Sequence, residues 1–470
     1  MIEVVELRLV MKFGGVAVAD GQRIRRVGEL VRRFKSEAHE IVVVTSALSG
    51  VTDLLFKNAE RIATETKTEL IEEFVEELRR RHVRAAEEAI DDKDVLNSVI
   101  NELERRLGDL EKALRGICLL GELTKRSLDY ITSSGERLSA PLLAGVLESL
   151  RINSVHLTGG EAGIITNDDF GNAQPVDGVE SIIAGRILPL LREGQVPVVA
   201  GYIGETESGV VTTLGRGGSD YTATIIGAAI KADEIWLWKD TEGIMTADPR
   251  IVPNACKIPT LSYVEAMELS YFGASILHPR AMLPVIRNEI PVRVKNLCDP
   301  DDEGTLIWKE PERERVVKAI TLIKDVAIIN VAGTGITSIS DVAARVFSSL
   351  AAKNVNIIMV SQGSSERTIS IVVDGAQLRE ALDALRNMNG NVIKDFYFNP
   401  DVCAIGVVGA GMAGTPGVAG RVFSALGERG ISIIMIAQGS SEYNISFVVR
   451  KDDAYEAVRA IHDAFGLAQK

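Results

Sequence analysis

The sequence predicts an α/β protein built as a three-layer sandwich on a mostly parallel sheet, followed by two ferredoxin-like βαββαβ units. Two observations predict this. Up to residue 308, short apolar runs rich in Val and Ile alternate with segments of helical period, as expected of strands buried on both faces by crossover helices. Beyond that point one block of sequence occurs twice.

Residues 6–13 read as a strand ending in Gly14-Gly15, residues 22–34 as a basic-faced helix, and residues 41–44 as a buried parallel strand. From about residue 54 to 119 the chain turns rich in Glu, Arg, Leu and Ala, a helical insertion with a solvated charged face. Strand-like runs return at residues 154–157, 196–200, 234–238 and 292–295, alternating with helices. The charged stretch Lys309-Glu-Pro-Glu-Arg-Glu-Arg315 reads as a linker that closes the first domain, residues 1–308.

In the remainder, Val331-Ala-Gly-Thr-Gly335 corresponds to Val407-Val-Gly-Ala-Gly411, and Gln362-Gly-Ser-Ser-Glu366 to Gln438-Gly-Ser-Ser-Glu442, at one constant offset. Arg345-Val-Phe-Ser348 recurs as Arg421-Val-Phe-Ser424, and Ile357-Ile-Met359 as Ile433-Ile-Met435. Each copy reads as βαββαβ, over residues 316–394 and 402–470, and units this small are expected to pair.

The chain of 470 residues carries a net charge of −13, which excludes a basic nucleic-acid footprint. Cys118, Cys256, Cys298 and Cys403 lie far apart, without zinc-ligand spacing. Charges at the N-terminus and the lack of a long apolar run argue for a cytoplasmic protein with no membrane partner. Met11 is an alternative start, since residues 1–10 carry one strand and no motif.

One motif misleads. Gly409-Ala-Gly-Met-Ala-Gly414 follows a strand and matches a dinucleotide fingerprint. Its sister copy, Gly333-Thr-Gly-Ile-Thr-Ser338, lacks the third glycine, and the next strand leads to Ala437-Gln438 in place of an acid for a ribose. We read it as a structural turn.

Other motifs suit phosphoryl transfer to a carboxylate, which needs cations and backbone amides around phosphates and no general base. Lys12-Phe-Gly-Gly15 sets a lysine at a strand end beside a glycine turn, although such a lysine is often structural. Thr45-Ser-Ala-Leu-Ser-Gly-Val-Thr52 offers hydroxyls after the second strand, each equally readable as a helix cap. Ser133-Ser-Gly-Glu136 places a carboxylate by a turn. In Leu214-Gly-Arg-Gly-Gly-Ser-Asp220 an arginine stands among glycines, which suits clamping a carboxylate. Trp238-Lys-Asp240, the loop Gly243-Ile-Met-Thr-Ala-Asp-Pro-Arg250 and Phe272-Gly-Ala-Ser-Ile-Leu-His-Pro-Arg280 follow in order.

This ordered set resembles the aspartate kinase family of the amino acid kinase superfamily, with two C-terminal ACT domains, over nearly the whole chain. The resemblance implies an amino acid kinase fold that phosphorylates L-aspartate to 4-phospho-L-aspartate with ATP and Mg²⁺, on the route to lysine, threonine and methionine. It implies Lys12, Arg216 and Asp240 as catalytic. Lys12, Phe13, Gly14, Gly15, Asp240, Thr246, Asp248 and Arg250 are implied for ATP, and Ser46, Thr52, Glu136, Arg216, Ser219 and Asp220 for aspartate. No side chain is assigned to a metal. Gln362, Ser364, Gln438 and Ser440 are implied for a lysine or threonine effector, with a hairpin-turn role as the structural alternative. A homodimer through the ACT domains, or a tetramer, is also implied.

The chain departs from the family at Val16-Ala17, where hydroxyl residues are usual, and at Ser275, where many members carry lysine; Lys239 is read as the compensating charge. Two competing readings remain: another amino-acid or carbamate-type kinase, which lacks the paired tail, and a sensor whose kinase-like domain has lost activity.

Overall fold

Apolar runs without helical period form the centre of the first of two units. The computed structural model describes residues 7–37, 39–273, 277–309, 315–333, 339–363, 368–388 and 393–468. The first unit comprises Met1–Gly243 and Leu277–Lys309, the second Ile244–Ile276 and Glu310–Lys470.

The chain opens with β1 (Arg8–Phe13), α1 (Gly21–Ser36) and β2 (Glu40–Thr45). Asp20 starts α1, its carboxylate accepting the Arg23 amide at 2.9 Å. The Glu- and Arg-rich stretch forms α2 (Val51–Glu65), α3 (Glu69–Ala89) and α4 (Lys93–Leu120), whose apolar stripes join the main core. Next come α5 (Lys125–Thr132), α6 (Ser134–Ser149), β3 (Ser154–Leu157), β4 (Ile165–Thr166), α7 (Val179–Arg192) and β5 (Val196–Ala200). They are followed by β6 (Ile203–Thr206), β7 (Val211–Thr213), α8 (Gly218–Ile230) and β8 (Glu234–Lys239). The second unit takes β9 (Thr260–Ser262) and α9 (Tyr263–Tyr271); α10 (Pro279–Asn288), β10 (Val292–Asn296) and β11 (Thr305–Trp308) complete the first.

The sheet of the first unit runs β3-β5-β2-β1-β8-β10-β11. Neighbours are parallel from β3 to β10, and β11 is antiparallel. Period-2 alternation sends Leu9, Met11, Phe13, Trp236 and Trp238 into a core shared with α1 and α6. Lys12 therefore faces the other way. Phe13 lies opposite Thr45 and Trp238, and Thr45 opposite Ala200. Four carboxyl ends are thus level, and parallel sheets bind ligands at that edge.

The second unit adds β12 (Ala319–Gly333), α11 (Ile339–Ala352), β13 (Ile357–Gln362), β14 (Thr368–Asp374), α12 (Leu378–Arg386) and β15 (Ile393–Val408). It ends with α13 (Val418–Glu428), β16 (Ile433–Gln438), β17 (Asn444–Arg450) and α14 (Ala454–Ala464). Its antiparallel sheet runs β13-β14-β12-β15-β17-β16. The two modules do not follow one another linearly. Residues 319–323 of β12 pair with the end of β15, while residues 326–332 pair with β14 and with the start of β15. Val317 and Ile320 lie in a core with Ile405, Val407 and Phe447, whereas Ile329 and Val331 lie with Ile369 and Ile371. Residues 316–323, read from the sequence as the start of the first copy, thus supply a strand to the second.

Residues 244–276 are tied into this unit by a buried network. Glu265 is 0% exposed and closes a capping box with Ser262 at the start of α9. Its carboxylate accepts the Ala410 amide at 2.7 Å and Lys318 Nζ at 3.2 Å, and Lys318 also donates to the Thr260 carbonyl. The glycines of the fingerprint-like loop have a local cause. A Cβ at Gly411 would lie 2.6 Å from the Arg315 carbonyl, and one at Gly409 would collide with that of Val316. Among the described residues no helix is long and apolar enough to cross a membrane.

Glu265→Ala should destabilise the second unit by about 3–5 kcal/mol, because it strands the Lys318 ammonium in the interior. Adding Lys318→Met should recover most of that loss in chemical denaturation; equal losses in the single and double variants would mean the charge pair is not the cause.

Candidate active site

At the level carboxyl ends of β1, β2 and β5 a cavity of about 600 Å³ opens, with Lys12, Ser46, Thr52, Glu136, Arg216 and Asp220 among its lining residues. Each arrives by a different local device. Lys12 is the penultimate residue of β1, 9% exposed, with its ammonium 2.5 Å from Asp220 Oδ1. That distance marks a contact ion pair, but Oδ1 has no directed hydrogen bond. The Gly14-Gly15 turn follows, closed by the Ala17 amide donating to the Gly14 carbonyl at 2.8 Å. Ser46 is anchored by its amide to the Phe13 carbonyl at 3.1 Å.

Glu136 sits in the first turn of α6 and is 3% exposed. The helix comes this close because residue 135 is glycine: a Cβ there would lie 2.7 Å from that of Ala47. Burial pushes the Glu136 carboxyl up from 4.5 to about 8, against the Ala47 and Glu136 amides and the Lys12 charge, which pull it down. Its Oε2 has no hydrogen-bond partner. A buried acid with one free oxygen beside a cationic cavity is poised to receive a cationic donor.

Arg216 is exposed on the turn between β7 and α8, flanked by Gly215 at φ 76° and Gly217 at φ 73°. Both are left-handed conformations that side chains resist. A Cβ at Gly217 would also collide with His278. Ser219 and Asp220 follow in the first turn of α8, at the positive end of its dipole. Lys239 ends β8; burial lowers its ammonium, which Asp220 and Asp240 raise and Lys12 lowers. Asp240 follows, exposed.

Phe13, implied for ATP, turns into the core, and neither it nor Lys239 nor Asp240 is among the residues lining the cavity. Thr246, Asp248 and Arg250 belong to the second unit. The Thr246 side chain is fully buried there, bonded to His462 Nε2 at 3.0 Å and accepting the Cys256 amide, so its hydroxyl is already used internally. Arg250 forks onto the Asp248 carboxylate at 2.8–3.2 Å. Gln362 and Gln438 end the edge strands β13 and β16, both exposed, as is Ser440. Ser275 and Ser364 lie outside the described residues. Sequence reasoning passed over Gly171 and Tyr202, which line the cavity. Neither belongs to a charged motif; the one available signal was Gly201-Tyr202 directly after β5. Among the described residues no cluster of His, Cys, Asp or Glu forms a metal site.

The sequence profile of the amino acid kinase family matches residues 7–296, and an ACT-domain profile matches residues 329–388 and 405–465. The chain is similar to the chloroplastic aspartokinase 2 of Arabidopsis thaliana, at 35% identity over 98% of this chain and 84% of the relative. It is 32% identical to the bifunctional aspartokinase/homoserine dehydrogenase 2 of the same plant, over 99% of this chain. The chain spans only 51% of that protein, about half the length of such bifunctional relatives. Among solved structures, Escherichia coli aspartokinase III in complex with aspartate and ADP superimposes with a TM-score of 0.83 at 28% identity, covering 98% of this chain and 100% of that one. Its complex with lysine and aspartate gives 0.79 at 28% identity, covering 97% and 99%.

The Glu136 environment has a measurable consequence for stability. At neutral pH the folded protein keeps a proton that the unfolded chain, with a carboxyl near 4.5, has released. Stability is therefore highest with respect to this group below its ordinary range and declines as pH rises toward about 8, by at most about 1.4 kcal/mol per pH unit. Glu136→Gln should gain on the parent in denaturant melts, with a gap that widens from about pH 5 to about pH 8. A gap flat with pH would mean the carboxyl is ionised in the folded state.

Proposed function

Because this chain belongs to the amino acid kinase family, in its aspartokinase branch with paired ACT segments, we propose that it transfers the γ-phosphoryl group of MgATP to the side-chain carboxylate of L-aspartate. The products are 4-phospho-L-aspartate and ADP, the first step toward lysine, threonine and methionine. The observation that carries this reading is one cavity on which a buried lysine, a buried acid with a free oxygen and a glycine-mounted arginine converge.

The acceptor carboxylate, with a free pKa of about 3.9, is already ionised at neutral pH, so no general base is required. The barrier is the approach of one anion to another. Lys12 supplies the central positive charge: in the free site it rests on Asp220, and on substrate entry it turns to the transferring phosphoryl group. With Val16 and Ala17 lacking hydroxyls, backbone amides of Gly14 and Gly15 support the phosphates, and Lys239 supplies the positive charge that Ser275 lacks. Arg216 forks onto the amino acid's α-carboxylate. Glu136 gives up its proton when the substrate ammonium arrives, becoming the counter-charge its burial had suppressed. Ser46, Thr52 and Ser219 add hydrogen bonds. Mg²⁺ bound with ATP would supply neutralisation of its phosphates, with Asp240 as the carboxylate that would hold it.

Similarity to an enzyme solved with aspartate and ADP, and again with lysine, supports both the substrate assignment and an amino-acid effector. We assign lysine or threonine to the ACT segments near Gln362, Gln438 and Ser440. Val360, Ile434 and Ile436 are 40–44% exposed on the edge strands β13 and β16. Such edges are normally covered, which supports self-association through this unit.

Incubation with MgATP and aspartate should yield an acyl phosphate trapped by hydroxylamine; nucleotide binding without trapped product would refute the assignment. Lys12→Ala should lower kcat roughly 10²–10³-fold. Arg216→Ala should cut kcat/KM for aspartate roughly 10–100-fold. Ile434→Lys with Ile436→Lys should reduce the mass measured by light scattering to that of one chain; an unchanged mass would place the subunit contact elsewhere.

A further inference from the structure

Helix α5 stops just short of the helix that carries Glu136, and it bears an acid that no motif marks. Asp129 is 2% exposed and does not line the cavity. Among the described residues it has no cationic partner within ion-pair distance, an expensive way to bury a carboxylate. Burial raises its carboxyl, and three donors hold it down. Oδ2 accepts the amides of Gly171 at 3.0 Å and Thr213 at 2.8 Å, and Oδ1 accepts the Thr213 hydroxyl at 2.8 Å.

Those donors lie on the two flanks of the Arg216 turn. Thr213 is the last residue of β7, and Leu214, Gly215 and Arg216 follow it directly. Gly171 abuts the turn from the other side, its carbonyl only 3.0 Å from where a Cβ at Gly215 would stand. Glycines at 215 and 217 leave the turn without side chains to pin it, so its position must be imposed from its ends. Tyr202 braces the same place. It holds a left-handed φ of 69°, its amide donates to Thr222 Oγ1 at 3.0 Å and its carbonyl accepts the Leu214 amide at 2.9 Å. Its half-buried phenol lies against the hydroxyls of Thr213 and Thr132.

We propose that Asp129 is a positioning residue for substrate recognition, which through Thr213 and Gly171 sets the Gly215–Gly217 turn so that Arg216 meets the amino-acid carboxylate. An apolar residue would pack α5 equally well. A planar group with two polar ends ties together three groups from two separate loops, which no apolar side chain can do. The inference rests on the reading of Arg216 as the substrate clamp, and it concerns the acceptor and not the nucleotide.

The test is steady-state kinetics on the full chain, with both substrates varied and with thermal melts as a check on folding. Asp129→Ala should raise KM for aspartate at least about tenfold and leave KM for ATP within about threefold, since misplacing a clamp is felt by the group it clamps. Thr213→Val keeps the shape and deletes one bond, and should show the same selectivity at about threefold. Asp129→Asn should restore KM for aspartate to within about twofold, because its oxygen accepts both amides and its NH₂ donates to the Thr213 hydroxyl. Unchanged aspartate KM in Asp129→Ala and Thr213→Val, equal shifts for both substrates, or an Asn variant as impaired as the Ala variant would each overturn the proposal. Failure of the parent protein to phosphorylate aspartate would instead refute the function proposed above, so the two failures are distinct.

Discussion

The structure is organised around a charge placed where charge is costly: the ammonium of Lys12, nine-tenths buried at the end of a parallel strand. Its neighbours divide the task of keeping it there. Asp220 meets it at 2.5 Å, and Glu136, a second acid on the same cavity, stays protonated because of its burial. One carboxylate balances the lysine and the second waits neutral. With Arg216 and Asp53 also on its wall, the cavity carries both signs of charge, and an incoming anion competes with Asp220 for the Lys12 ammonium. The pairing with Asp220 keeps the empty cavity from holding a desolvated lysine without a counter-charge.

Holding these groups within one cavity depends on how closely loops approach, and small residues decide that. Gly135 lets α6 settle onto Ala47 and so brings Glu136 over β2. Glycines around Arg216 do something different. They free the backbone for left-handed turns and let it pass His278 and Tyr202, but they surrender the packing that would fix a side chain. Rigidity returns through hydrogen bonds at the margins of the turn, where Asp129, Thr213 and Tyr202 lie.

Much of this was legible in the sequence. The apolar β-branched run at residues 41–44 and the strand-like runs at 154–157 and 196–200 appear as Glu40–Thr45, Ser154–Leu157 and Val196–Ala200. Lys12, Ser46, Thr52, Glu136, Arg216, Ser219 and Asp220 were readable because each stands beside glycine or hydroxyl residues at a strand or helix end, and all line one cavity. Asp129 and Tyr202 were not readable. An acid in a short helix and a tyrosine after a strand look ordinary until the elements they bond, more than seventy residues away in the case of Asp129 and Thr213, are in place. Thr246 shows the reverse. It stands in a loop that looks functional, yet its side chain is spent on His462, a partner no local pattern reveals.

The same non-locality governs how the second unit is assembled. Its sheet needs a strand that the chain has already passed, so residues 319–323 serve the later module while residues 326–332 serve the earlier one. Residues 244–276 are drawn in by the same logic: Glu265, Thr246 and Phe272 are buried among Lys318, His462 and Ile328. This segment is continuous in sequence at both ends with the first unit, through Gly243 and Leu277, yet it belongs to the second. A rearrangement that repacks the paired modules therefore acts on residues whose backbone leads directly into Asp240 on one side and His278 on the other. Coupling along this route needs no long relay of side chains, since the covalent chain itself passes from the second unit into β8 and α10 of the first.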